Sequence, residues 1–307
     1  MKWIKVFSPA TIGNIGPGFD VLGLAVQGLG DTIEARKIKK GIVISEIISE
    51  SKLSSNPKKN TVTLAAKEVL KLLKIKEGIE FKIRKGLPAG SGLGSSAASA
   101  AAGAFAANYL YGNKLTKKEL ILPATLAEQK VSGGFFADNT APALLGGATL
   151  TRTMQPLDIT KIGTINNLVV ILVTPNITIL TSKARKILPK KVPMEDFVHN
   201  MANTSLITAA FAKNDYNLFA RSLQDHVIEP YRKKLIDGFD NVRKAAIKAG
   251  ANGMAISGSG PTVFSITNNY NLAKNIEKAM NKEFNKLGIK TKSIITKVEN
   301  QGTKLID

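Results

Sequence analysis

Gly90, Gly92 and Gly94 recur at every second position of the stretch at residues 87–108, LPAGSGLGSSAASAAAGAFAAN, and two serines and an alanine-dominated run follow them. Glycine reaches positive φ and has no side chain to hold a ligand away, so such a loop can turn successive N–H groups toward an anion. Alanine is the best helix former, and Ser95 or Ser96 is of a type that caps a helix start. The chemistry this implies is phosphate binding, because free N–H groups and the helix dipole both favour negative charge there. No GK[ST] follows, so the loop is not a Walker A loop, and Ser95 stands where a dinucleotide fingerprint needs its third glycine. On the glycines alone, a flexible turn before a buried helix remains open.

Other polar residues sit where a ligand could meet them. Asn14 and Asp20 are the side chains best able to read a polar ligand in the turn-rich loop of SPATIGNIGPGFDVLGLAV, residues 8–26. Glu128 lies near the end of a segment at 116–130 that Thr116 and Glu119 open as a capping box. Asp138 and Asn139 stand at the start of an expected helix at 137–145, where Asp138 also fits as an N-cap. Thr181 or Ser182 can cap a short helix that presents Arg185, and Arg232 closes the string DHVIEPYR. Gly258 opens the turn GSGP. Each residue has a plain structural reading as well: a surface hairpin, a solvated Glu, a surface Arg, a tight turn. His199 and His226, the only histidines, fall in no recognised motif.

The elements that must hold these residues alternate between strand and helix. Strands are expected at 3–8, 31–37, 42–48, 80–84 and 148–153, and helices at 60–74 and 116–130. The polar stretch 154–166 reads as a domain junction, giving an N-terminal domain at 1–157 and a C-terminal one at 158–307. Residues 168–173 form a fully apolar strand, suited to the middle of a second sheet. A long helix at 195–213 is expected to turn Phe197, Met201, Leu206 and Phe211 to the core. Further helices at 217–223, 239–249 and 271–287 and strands at 251–257, 262–267 and 291–297 resemble a split βαβ layer.

The string PxGxGLGSSAA resembles the central motif of the GHMP kinases, and the likeness extends over almost the whole chain. The first segment, with its Asn-x-Gly-x-Gly-Phe-Asp character, the string ending D-N-x-A-P-A-x-x-G-G, the T-x-x-A-R-x-x-L-P pattern and SGSGPT all point to the homoserine kinase branch. Thr11 stands where mevalonate and galactose kinases place an early Lys or Arg. The resemblance implies an α+β, two-domain GHMP-kinase fold: an N-terminal mixed sheet with helices and a C-terminal ferredoxin-like split βαβ layer.

It also implies a set of roles. ATP would lie along Leu87, Pro88, Ala89, Gly90, Ser91, Gly92, Leu93, Gly94, Ser95, Ser96 and Ala97, with its base near Asn60 and Val62. The last two fit equally as an N-cap and a core residue. Ser96 and Glu128 would hold Mg2+, a hard ion that takes one or two protein oxygens plus substrate phosphates. The acceptor would be L-homoserine: Asp138 facing its ammonium, Arg185 and Arg232 its carboxylate, Asp20 and Gly258 lining its pocket, and Asn14, Asn139 and Thr181 beside the reacting hydroxyl. The alternative is another small hydroxy acid, such as shikimate or mevalonate. Mevalonate kinases carry a catalytic Asp seven residues before their Gly-Gly; the matching residue here is Asn139, whose amide cannot accept a proton at neutral pH. Family members often have His two residues before the Asp of the D-N pair; Phe136 stands there.

Composition bounds the remainder. The sequence is 44% hydrophobic and 21% charged, with no cysteine, so disulfides and thiolate metal sites are excluded. No apolar run is long enough to cross a bilayer, and the N-terminus lacks a signal-peptide core, so a cytoplasmic protein without a membrane partner is expected. The net charge of +20 is scattered in short lysine groups, and aromatics make up only 6% of residues. That pattern fits a solvated surface that steers an anionic nucleotide, not a nucleic-acid platform. A homodimer is one partner state the resemblance admits.

Overall fold

A computed structural model describes residues 2–307. The chain opens with β1 (Ile4–Gly13) and β2 (Leu22–Ile38), an antiparallel pair whose connection is the loop carrying Asn14 and Asp20. β2 is far longer than the strand expected at 31–37 because it runs through Gly28 and Gly30, with a register shift opposite Pro9 and Ala10. β3 (Ile42–Ile48), α1 (Thr61–Leu72) and β4 (Gly78–Arg84) follow. β4 pairs antiparallel with β2 and parallel with β3.

Then come α2 (Ser95–Leu110), α3 (Ile121–Ser132) and α4 (Thr140–Leu145). α2 is buried along nearly its whole length. Its small side chains allow that: Gly103 lies where a Cβ would meet Val62 O at 2.2 Å, so α1 and α2 pack backbone to backbone. α3 starts later than expected. The Thr116–Glu119 box forms, with Glu119 accepting from Thr116 N and Oγ1. Pro123, however, lacks the N–H that would bond back to residue 119, so the regular helix begins at Ile121.

β5 (Ala148–Met154) and β6 (Leu157–Gly163) form a hairpin attached to β2. The stretch at 154–166 is therefore mostly strand. The division expected at 157/158 does not follow the sheets, because β6 belongs to the first one. Its strand order is β11-β1-β2-β4-β3 with β5 and β6 to the side, where β11 (Lys304–Ile306) is the chain's last strand returning to β1.

Between Gly163 and Val169 the chain enters the second sheet with β7 (Val169–Pro175). α5 (Thr181–Lys186), α6 (Met194–Lys213), α7 (Tyr216–Ser222), α8 (Glu229–Arg232) and α9 (Phe239–Lys248) lead to β8 (Gly253–Ile256), β9 (Val263–Thr267), α10 (Tyr270–Lys286) and β10 (Thr291–Thr296). The order β10-β7-β9-β8, all antiparallel, is that of a ferredoxin-like layer. α6 departs from its expected face: Phe211 is buried, but Phe197, Met201 and Leu206 are exposed, and the covered residues are Asn200, Ile207 and Ala210. The helix touches the body mainly through its second half, against α7 and β6.

Three cores result. One packs α1–α4 on the first sheet, a second fills the space between the sheets, and a third lies under α9 and α10. The between-sheet core joins Ile12, Leu22 and Leu24 to Leu172 and Phe264. It brings the β1–β2 loop, the glycine loop and the β8–β9 turn to one place.

Candidate active site

The glycine loop leaves β4 and enters α2 through three alternating left-handed residues, Gly90 (φ 69°), Gly92 (φ 79°) and Gly94 (φ 64°). Only glycine takes such a sequence without strain. At Gly94 space forbids a side chain too, since a Cβ would lie 1.9 Å from Thr11 Oγ1. Gly94 itself is the N-cap of α2, so neither serine caps the helix. The Ser95 hydroxyl instead donates to Leu87 O at 2.9 Å and closes the loop. Ser96 Oγ is buried and has no hydrogen-bond partner among the described residues, and Ser91 Oγ shares that condition.

The β8–β9 turn straps the loop from the second sheet. Ser257 Oγ donates to Gly92 O at 2.6 Å, Thr262 Oγ1 donates to Ser91 O at 2.6 Å, and Gly258 N donates to Gly13 O at 3.0 Å. From the first sheet, Thr11 N donates to Leu93 O at 3.1 Å.

Two connected hollows flank the loop. A groove of about 430 Å³ runs along Ala89, Gly90, Ser95, Ser96, Asn60, Lys85 and Thr181. A cleft of about 140 Å³ lies beside it, lined by Asn14, Asp20, Ser91, Gly92, Gly94, Ser96, Glu128, Phe136, Asp138, Asn139, Thr181, Arg185, Arg232 and Gly258. All the residues expected to meet the substrate or metal therefore converge on that cleft.

The nucleotide-side residues differ in what they can present to a ligand. Val62 and Ala97 are fully buried, so their side chains offer a ligand nothing. Asn60 accepts from Val62 N as the N-cap of α1 while its amide donates to Ser54 O, yet its edge still borders the groove. Leu87, Pro88 and Leu93 face a separate cavity behind the loop, with Leu172 and Ile294. At those positions only the backbone can serve the phosphates.

In the cleft, Asn14 sits in the left-handed region (φ 71°); its amide donates to Gly258 O at 3.0 Å and its oxygen accepts from Asp20 N at 3.0 Å. Asn139 Oδ1 accepts from Thr11 Oγ1 at 2.8 Å, and the Asn139 side chain also hydrogen-bonds that of Asp138. Asp138 is buried and forms no N-cap: α4 begins after Asn139, with no side-chain cap bond. Arg185 forks onto Asp20, Nη1 to Oδ2 at 3.0 Å and Nη2 to Oδ1 at 2.9 Å. α5, which carries Arg185, has Leu180 at its N-cap, so neither Thr181 nor Ser182 caps it; Thr181 Oγ1 lies 3.5 Å from Ser259 Oγ. Arg232 is buried, donates from Nη1 to Gly258 O at 2.7 Å, and its Nε has no hydrogen-bond partner among the described residues.

The charges are under tension. Burial, helped by the Asp20 carboxylate, pushes Asp138 up to about 7, although Arg232, Arg185 and Asn139 pull the other way. Burial and then Asp138 push Glu128 up to about 8. Both carboxyl groups thus sit where a bound cation would relieve them. Ser96 and Glu128 fit magnesium: a hydroxyl without a partner and a desolvated carboxyl share one cleft. Among the described residues, no group of three or more His, Cys, Asp or Glu could hold a metal ion by itself.

Sequence reasoning missed Lys85, Asp31 and Phe19. Lys85 and Asp31 form a buried ion pair beneath the loop, and Phe19 touches both arginines. A lysine directly before Gly86 at the loop's entry was the available signal for the first.

This fold and site define a class. The GHMP kinases N terminal domain matches residues 60–147 and the GHMP kinases C terminal domain residues 207–286, and the chain belongs to the GHMP kinases. It is 40% identical to the homoserine kinase of Chloroherpeton thalassium, covering 94% of both chains, and 41% identical to that of Pyrococcus horikoshii, covering 96% of this chain and 97% of the relative. The crystal structure of homoserine kinase from Cytophaga hutchinsonii superposes with a TM-score of 0.95 at 42% identity, over 100% of this chain and 98% of that one. Within the GHMP kinases, the chain is therefore a member of the homoserine kinase family. The crystal structure of L. major mevalonate kinase, at 17% identity and a TM-score of 0.73, shares the fold.

Proposed function

We propose that the protein transfers the terminal phosphoryl group of ATP to the side-chain hydroxyl of L-homoserine, giving O-phospho-L-homoserine on the route to threonine. One observation carries this reading: buried Asp138 and the two arginines share a cleft of amino-acid size that opens beside a phosphate loop. A zwitterionic head needs both an anion and a cation from the protein, and few other small alcohols do.

The glycine-loop amides and the start of α2 grip the triphosphate. Asp138 receives the ammonium, and Arg232, with the donor hydrogens of Arg185 that the Asp20 fork leaves over, receives the carboxylate. Asp20 holds Arg185 in the plane it needs. Asn14, Asn139 and Thr181 orient the hydroxyl. Ser96 and Glu128 are the residues to hold Mg2+, which when bound neutralises charge on the transferring group.

No side chain is placed as a base, and little is asked of one. Phosphoryl transfer passes through a loose transition state in which positioning and electrostatics dominate. Positioning alone can lower the barrier by roughly 7–11 kcal/mol. ATP and a free amino acid as substrates support a cytoplasmic location.

An ADP-release assay against homoserine, shikimate and mevalonate side by side tests the reading. Homoserine is expected to exceed the others in kcat/KM by at least about a hundredfold, because each alternative leaves buried charges in the cleft unpaired. Comparable turnover of shikimate would reject the amino-acid assignment.

A further inference from the structure

The Arg185 guanidinium is held on its edge and on its face. Along the edge, the Asp20 carboxylate takes both terminal nitrogens. Over the face, the Phe136 ring lies 4.2 Å from the guanidinium carbon. Phe19, from the β1–β2 loop, lies 5.1 Å from the same carbon and 5.0 Å from that of Arg232. Two aromatic rings from separate loops thus steady both arginines of the cleft.

Phe136 stands where the resemblance places a histidine, and a phenyl ring can neither donate nor accept a conventional hydrogen bond to a polar substrate head. The ring can, however, attract a guanidinium through its face and exclude water from it. Arg185 needs such support. Its side chain is 36% exposed, on a helix of only six residues, and an arginine carries much rotamer freedom to be lost on binding.

We propose that Phe136 is a positioning and specificity residue. Its ring stacks on Arg185 and pre-sets the guanidinium to receive the carboxylate of the acceptor, so that the chain selects hydroxylated amino acids over amino alcohols lacking that group. The proposal rests on the assignment of Arg185 to the substrate carboxylate.

The test compares L-homoserine with 3-aminopropan-1-ol, which keeps the ammonium and the reacting hydroxyl but has no carboxylate; the latter is read as a substrate or as a competitive inhibitor. In Phe136→Leu the homoserine KM is expected to rise roughly three- to tenfold, the size of one lost partly desolvated stacking contact. The constants for ATP and for 3-aminopropan-1-ol stay at wild-type values, and Phe136→Tyr, which keeps the ring face, restores the homoserine KM. If Phe136→Leu also disturbs the ATP KM, Phe136→Met, which keeps bulk without a ring, carries the comparison.

An unchanged homoserine KM, or an equal rise for both acceptors, overturns the proposal, since either means the ring does not act through the carboxylate. Arg185→Ala run in parallel separates the two levels. If it weakens both acceptors equally, the carboxylate assignment itself has failed. If it weakens homoserine alone while Phe136→Leu does not, only the stacking role has failed.

Discussion

Glu128 keeps a face on the cleft while burial and Asp138 hold its carboxyl far above the usual range, at about 8. Glu128→Gln keeps the shape and removes the charge. It is expected to lower kcat/KM by about a hundredfold or more at ordinary magnesium, the usual effect of deleting one preorganised electrostatic partner, and added magnesium should recover part of it. Initial rates across a magnesium titration check this; wild-type behaviour would reject the ligand role. At this scale the sequence was informative where a residue type is rare in its setting. Glycines at alternate positions, a D-N pair before A-P-A, and an Arg four residues after a Thr could all be read as chemistry. The Asp20–Arg185 fork could not, because 165 residues separate its partners and only the fold joins them.

Each element serves the site through what fixes its end. Lys85 closes β4 and sits beneath α2, donating to the Asp31 carboxylate, to Ser95 O at 2.8 Å and to Ser99 Oγ at 2.9 Å. Ser99 Oγ and Gly86 N complete the shell around Asp31. Burial lowers the Lys85 pKa while Asp31 opposes that, so the pair persists through its hydrogen bonds. Lys85→Met would leave Asp31 as a buried, uncompensated anion at the base of the phosphate loop. The expected loss is about 3–5 kcal/mol of stability, measured by urea unfolding, and much of it should return in the Lys85→Met, Asp31→Leu double variant. A loss no greater than that of a surface lysine would contradict this. Elements with a strong period, α1, α9 and α10, were legible in the sequence within a residue or two. α6 was not: its apolar residues lie all round it, so periodicity could not say that Ile207 and Ala210 pack inward and Phe197 and Met201 do not.

At the scale of the molecule, the cleft lies where two sheets with different partners meet. The first contributes Asn14 and Asp20, the second Arg232 and Gly258. The pairing of β5 with β2, which keeps the β5–β6 hairpin on the first sheet, and the return of β11 to β1 are long-range contacts that no local pattern encodes, so a division at 157/158 cuts through β6. The cost of gathering charge into this seam falls on the ligand-free protein as a whole. In the folded state burial pushes Glu128 up to about 8 and Asp138 up to about 7, from ordinary values of 4.5 and 3.8. Between the two sets of values the folded chain holds protons that the unfolded chain has released. These groups therefore favour folding at low pH, and that contribution is lost as pH rises through 7 and 8. Each contributes a slope of up to about 1.4 kcal/mol per pH unit. Between pH 6 and pH 8, Tm of the ligand-free wild type should fall relative to Glu128→Gln by roughly 3–6 °C. Magnesium nucleotide with homoserine should abolish most of the difference, since bound cations then hold both carboxylates charged. Calorimetric scans at the two pH values decide it: parallel shifts in wild type and variant would mean that the seam carries no such strain.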